Sequence, residues 1–202
     1  MNRIKFEAAR IFAQEQNLAA MSHPLPTPSG LNVALVGNAR AMAKGTAGNH
    51  IDKADLVARI NRAPMPSSES HGTRTDWLAL VTSISQAELQ RLQPRCLLWM
   101  SHKRKRLSYN VATHPRFYLH TLEDWHRLKD QLGAPPSTGA MMIDLFARSK
   151  AATITLYGFD FFASKSLTGS RDATQVPHDF AAEAVMVDAL LTKDRRFSLM
   201  MP

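Results

Sequence analysis

Short apolar runs alternate along this chain with stretches in which apolar residues recur every three or four positions. Runs rich in Val, Leu and aromatic residues predict strands over 32–37, 55–60, 77–81, 96–100, 117–119 and 153–157. Helical spacing predicts helices over 85–92, 121–132, 138–150 and 180–191. The third of these is started by a capping Ser137, and Leu122, Trp125, Leu128 and Leu132 share one face of the second. Strands alternating with helices predict an α/β fold with a mostly parallel sheet and helices on its faces. In such sheets ligands sit just beyond the carboxyl ends of strands. Two runs end on small or amide-bearing residues, at Gly37-Asn38 and at Asn61. Asn38 and Asn61 are therefore the first candidate ligand contacts.

The pattern also divides the chain. Residues 1–22 read as an N-terminal amphipathic helical segment, with the helix over 1–20. Ile4, Ala8, Ile11 and Phe12 fall on one face, and Arg3, Lys5 and Arg10 lie elsewhere. Two readings stand: this face packs on the domain, or it lies on an anionic membrane surface. Residues 23–30 hold Pro24, Pro26 and Pro28 and read as a linker. Residues 31–202 read as a single domain.

Composition narrows the partners. The chain has 202 residues, 45% of them hydrophobic and 21% charged, as in ordinary globular proteins. A net charge of +8 favours an anionic partner. Nucleotide-sugars, phosphates, nucleic acid and acidic membranes all qualify on charge alone. The basic run His102–Arg106 follows a strand and is expected in a loop. It reads as a solvated surface or as an arm for a phosphate-bearing substrate or membrane. No aromatics are interleaved with it, so nucleic acid is not expected. Cys96 is the only cysteine, which excludes an intrachain disulfide and suits a reducing, intracellular compartment. It is expected to be a buried strand residue. No apolar run approaches the roughly 18 residues of a transmembrane helix, and no signal-type apolar core opens the chain.

Three further blocks bear chemistry. Pro136-Ser137-Thr138-Gly139 opens an apolar helix, either as a plain cap or as an anion-attracting helix start. Tyr157-Gly158-Phe159-Asp160 ends a strand, where Gly158 permits a turn or a close ligand approach. His178-Asp179-Phe180-Ala181-Ala182-Glu183 opens a helix after Pro177. The positive end of the helix dipole disfavours a charged imidazole there, leaving His178 as a capping residue or a neutral general base. Glu183 is expected to cap or to pair with a neighbour. Metal-ligand spacings, a P-loop and a GxGxxG fingerprint are absent from the sequence.

Together these blocks resemble the sialyltransferases of glycosyltransferase family 29, over roughly residues 31–192. VALVGNAR…IDKADLVARINRAP looks like the family's long motif, PSTGAMMIDLFARSKAATITLYGFDFF like its short motif, and HDFAAE like its very short motif. The resemblance implies a GT-A-like variant of a Rossmann-like sheet. It implies inverting transfer of sialic acid from CMP-sialic acid to an acceptor hydroxyl of a glycan or glycolipid. By similarity, Asn38 and Asn61 contact the donor nucleotide and phosphate. Ser137, Thr138 and Gly139 hold the ribose, cytosine or sugar carboxylate region, and Gly158 and Phe159 flank the nucleotide. His178 matches the general base. CMP is a good leaving group, so the CMP-sugar is the donor substrate and no metal or other cofactor is expected.

Two departures shape these expectations. Where the family's motifs usually carry a cysteine each, this chain has Val33 and about Lys150. That suggests a bacterial-type enzyme acting on a cell-surface glycan from the cytoplasm, with peripheral contact at the inner membrane face. Between Phe162 and Pro177 there is no His or Tyr to match the family's further His motif. Lys165 or Arg171 is the charge-based candidate for the leaving phosphate. Transfer of another CMP-ulosonic acid such as Kdo, or a non-catalytic CMP-binding module, is the alternative.

Overall fold

The computed structural model describes residues 1–160 and 177–200. Two short helices come first, α1 (Arg3–Ile11) and α2 (Glu15–Ala19). Asn2 caps α1 by accepting from the Lys5 N–H at 3.0 Å. The helix expected over 1–20 is thus broken, with Ala13 between the two at φ +50°. From there the chain alternates strand and helix. It runs β1 (Asn32–Val36), α3 (Gly48–Lys53), β2 (Leu56–Ile60), α4 (Ser68–His71), β3 (Trp77–Leu80), α5 (Gln86–Leu92), β4 (Cys96–Trp99), α6 (Tyr109–Ala112) and β5 (Phe117–Leu119). It continues as α7 (Leu122–Leu132), α8 (Thr138–Ala147), β6 (Thr153–Tyr157), α9 (Phe180–Lys193) and β7 (Phe197–Met200).

Among the described residues seven strands form one sheet in the order β5-β4-β3-β2-β1-β6-β7, and every pair described is parallel. This is the Rossmann-like α/β architecture expected from the sequence. Strand order runs one way from β1 to β5, then restarts on the other side of β1 at β6. The gap between the ends of β1 and β6 is therefore a topological switch point, where open α/β sheets place ligands.

Alternation along the strands sorts the core onto two faces. Val33, Leu35, Ala58, Ile60, Leu98 and Met100 face α7, α8 and α9. Leu78, Leu80, Leu97, Trp99 and Leu119 face the other way, with Phe6 and Ala9 of α1 and Val111 of α6. The helix α8 is apolar all round, and every residue from Thr138 to Phe146 is buried, as expected of an interior helix. Its buried Asp144 is neutralised by Arg127 at 2.6 Å and Arg148 at 3.0 Å.

Ser22 and the linker run along the outer strand β5 and back to the end of the segment before β6. Ser22 Oγ accepts from the Leu119 N–H at 2.8 Å, covering the β5 edge. His23 N–H donates to Phe117 and Gly30 N–H to Lys150. Cys96 is buried, and burial pushes its thiol up to about 11. It lines a cavity with His23, Pro24 and Phe117 at the amino ends of the strands, opposite the switch-point edge.

Candidate active site

At the carboxyl edge β1 and β6 come into close contact. Gly37 N–H donates to Tyr157 at 2.7 Å, and Ala39 N–H to Gly158 at 3.2 Å. A Cβ on Gly37 would lie 2.4 Å from the Gly158 carbonyl oxygen, so only glycine fits there. Gly158 itself has φ +67°, a left-handed turn that glycine adopts without strain. The turn swings the Phe159 ring onto the start of α8, where a Cβ on Gly139 would meet it at 2.8 Å. Two of the glycines read from the sequence thus serve close packing between segments around Phe159.

Asn38 and Asn61 occupy the ends of β1 and β2. Asn38 is buried, and its Nδ2 reaches the Ile60 carbonyl in a long contact of 3.4 Å. Asn61 has φ +54°, a conformation asparagine tolerates better than most residues, and its N–H donates to Ala79 at 2.7 Å. Its Oδ1 faces Thr138 Oγ1 at 3.5 Å. Asn38 therefore ties the end of β1 to the end of β2, and Asn61 ties the end of β2 to the start of α8.

Ser137 caps α8, with its Oγ accepting from the Ala140 N–H at 3.1 Å. The same hydroxyl donates to Glu183 Oε2 at 2.7 Å, and the Ser137 N–H donates to Glu183 Oε1 at 2.7 Å. Glu183 is buried on α9, and burial raises its pKa while the two Ser137 bonds act in the opposite direction. The carboxylate clamps the start of α9 to the start of α8. It accepts from Ser137 rather than from its own helix start, which Asp179 caps through the Ala182 N–H at 2.9 Å.

His178 lies just before α9. Its Nδ1 is 2.8 Å from the Pro135 carbonyl oxygen, two residues before Ser137. A carbonyl only accepts, so Nδ1 carries the hydrogen and the neutral ring keeps its lone pair on Nε2. The imidazole edge rests on Phe180, with ring centroids 5.8 Å apart. The Pro135–Ser137 segment thus holds His178 and Glu183 together. Asn38, Asn61, Ser137, Thr138, Gly139, Gly158, Phe159 and His178 fall on one edge of the sheet. Lys165 and Arg171 lie outside the described residues.

Beside this cluster stands a group the sequence reading did not single out. Arg59 points from β2 away from the main core and is 1% exposed. Its guanidinium donates to the Arg74 carbonyl at 2.7 Å and to the His71 carbonyl at 2.7 Å. Burial holds it down at about 10. Burial and then the charge of Arg59 hold His71 down at about 4, with Ser70 Oγ 2.7 Å from its Nδ1. Asp52 accepts from the N–H groups of Thr73 and Arg74 at 2.8 and 3.0 Å, fixing the loop that supplies those carbonyls. The one signal for this network was a lone cation inside an apolar strand. Among the described residues no group of three or more His, Cys, Asp or Glu side chains gathers as a metal site would.

Residues 10–96 match the family model Glycosyltransferase family 29 (sialyltransferase). No curated protein matches the chain in sequence. Among solved structures, a mammalian sialyltransferase is similar at TM-score 0.67 and 16% identity, over 100% of this chain and 86% of that one. A mammalian sialyltransferase in complex with Gal-beta-1-3GalNAc-ortho-nitrophenol gives TM-score 0.66 and 17% identity, over 98% and 85%. The sialyltransferase CstII from Campylobacter jejuni, in complex with the substrate analogue CMP-3FNeuAc, gives 0.53 and 14%, over 84% and 78%. At these identities the structures speak for the fold, and the family match speaks for the segment that carries Asn38 and Asn61.

Proposed function

We propose that this chain, a glycosyltransferase of the sialyltransferase family, transfers sialic acid from CMP-sialic acid to a hydroxyl of a glycan or glycolipid, with inversion and with His178 as base. The observation that carries this reading is the bond from His178 Nδ1–H to Pro135. It leaves Nε2 free to take a proton, and it ties the base to the segment that begins α8.

In this reading the donor lies across the switch point. Asn38 and Asn61 offer amide groups to the nucleotide and its phosphate. Ser137, Thr138 and Gly139 present the start of α8, where Glu183 takes the Ser137 N–H and Ser137 Oγ the Ala140 N–H, and the N–H groups of Thr138 and Gly139, without an acceptor in the helix, favour an anion. Phe159 and Gly158 form the wall beside the nucleotide. As the bond from sugar to phosphate breaks, positive charge develops on the sugar, and its own carboxylate offsets part of it. Nε2 of His178 accepts the acceptor's proton as the new bond forms on the opposite face. Positioning and electrostatic stabilisation supply the rest of the rate.

The same reading puts the protein in the cytoplasm, at the inner face of the membrane that carries the acceptor. Cys96 as the only cysteine supports a reducing compartment. Among the described residues no helix is long and apolar enough to cross a membrane. Lys165 and Arg171 are the cations proposed for the leaving phosphate.

The test is CMP release from a panel of CMP-sialic acid, CMP-Kdo and related CMP-sugars. Turnover of CMP-sialic acid above the others is the expected result. Preference for CMP-Kdo would move the donor to another ulosonic acid. CMP binding without turnover of any donor would make the chain a binding module.

A further inference from the structure

The apolar stripe of α1 points away from the protein. Ile4 is 81% exposed, Ile11 51% and Phe12 72%, whereas Phe6 and Ala9 hold the helix to the sheet. A helix with one buried and one exposed apolar stripe needs a second surface to cover the latter. Cations surround it. Arg3 and Lys5 flank Ile4 on α1. Arg10 binds the Lys105 carbonyl, which brings the exposed Lys103, Lys105 and Arg106 beside the same helix. The two carboxylates of this segment are neutralised, Glu7 by Arg10 and Glu15 by Arg104. Buried Arg104 also donates to the carbonyls of Ser101 and His120, just past the ends of β4 and β5. The basic turn is therefore fixed on the carboxyl edge of the sheet. Because every strand pair is parallel, this is the edge that holds Asn38, Asn61 and His178.

We propose that the exposed stripe of α1, together with Lys103, Lys105 and Arg106, seats this chain on an anionic lipid bilayer with the carboxyl edge of its sheet toward the headgroups. Apolar residues beside exposed cations are what an acidic interface binds. A second copy is a poor occupant, since a two-fold contact through this patch would set like charges against each other. β4 lies three strand spacings from β1, on the order of 14 Å, so an acceptor carried on a lipid is presented along the edge that bears the site. That last point rests on the transferase reading above; the docking does not.

The experiment is co-sedimentation of the His178→Ala protein with phosphatidylcholine vesicles, with and without phosphatidylglycerol. This separates docking from catalysis. Partitioning onto the anionic vesicles at low salt, lost at high salt, is expected. Phe12→Glu should weaken it about tenfold. Reversing Lys103, Lys105 and Arg106 together to Glu should weaken it about a hundredfold. Both variants change exposed side chains, and an unchanged melting temperature confirms the fold. No partitioning at low salt, equal partitioning onto neutral vesicles, or a Phe12→Glu protein that binds as before would overturn the proposal. So would self-association in solution that Phe12→Glu abolishes. A wild-type chain that binds vesicles but releases no CMP from any donor would leave the docking standing and remove the transferase reading alone.

Discussion

The helices α8 and α1 each carry a strong apolar signal, and the fold uses them in opposite ways. In α8 apolar residues run all round and every residue from Thr138 to Phe146 is interior. Its polar start, Ser137 and Thr138, lies at the switch-point edge. In α1 the apolar residues form two stripes. The stripe with the cleaner spacing, Ile4, Ala8, Ile11 and Phe12, is the exposed one, and Phe6 and Ala9 make the buried contact. Helical periodicity identifies a face that is apolar, and only tertiary contacts decide what covers it. A helix buried on every side leaves no such choice.

Substitution on the two faces of α1 gives the sharpest contrast. Phe6 is 0% exposed, so Phe6→Ala should cost about 3–5 kcal/mol in denaturant unfolding. Phe12→Ala should stay within about 0.5 kcal/mol. Equal costs would mean that the exposed stripe is packed in solution. At the other region, Gly37→Ala would force a Cβ against the Gly158 carbonyl and should cost about 3 kcal/mol in the same measurement.

Glu183→Gln keeps the shape of the clamp but removes the charge that accepts both Ser137 bonds. A loss of about 1–3 kcal/mol is expected, along with weaker CMP binding by calorimetry. If CMP affinity holds while stability falls, the clamp is structural only.

A further effect is in pH. Burial holds His71 and His120 down at about 4, against an ordinary 6.5. Below 6.5 the unfolded chain takes up protons that the folded chain refuses until about pH 4. Stability is thus full above 6.5 and falls as pH drops through that window. The melting temperature should fall by more than about 5 °C between these limits. A flat profile would show both imidazoles charging inside the fold.

Much of the carboxyl edge was legible because its signals are local. A strand that ends on Gly37-Asn38 or on Asn61, and a serine before an apolar helix, each point to one place in an α/β sheet. The partner of Glu183 was not legible, because Ser137 lies 46 residues away and the pairing exists only once α8 and α9 are packed. The same holds for the Pro135 carbonyl that orients His178. The short helices α3, α4 and α6 have too few residues to show a period, and β7 has four residues, of which only Phe197 is buried. Val185 is an apolar residue of α9, yet it is 69% exposed. Arg59 sat inside an apolar run and its role depended on carbonyls supplied by the end of α4 and the loop after it.

The central claim is that a base on the loop before α9 takes the acceptor's proton while the donor is held at the switch point. It is tested by measuring CMP released from CMP-sialic acid, over a panel of sugar acceptors, by wild type and His178→Ala. The account predicts a fall in rate of roughly 100- to 10,000-fold with CMP affinity unchanged. Equal turnover by the two proteins would contradict it.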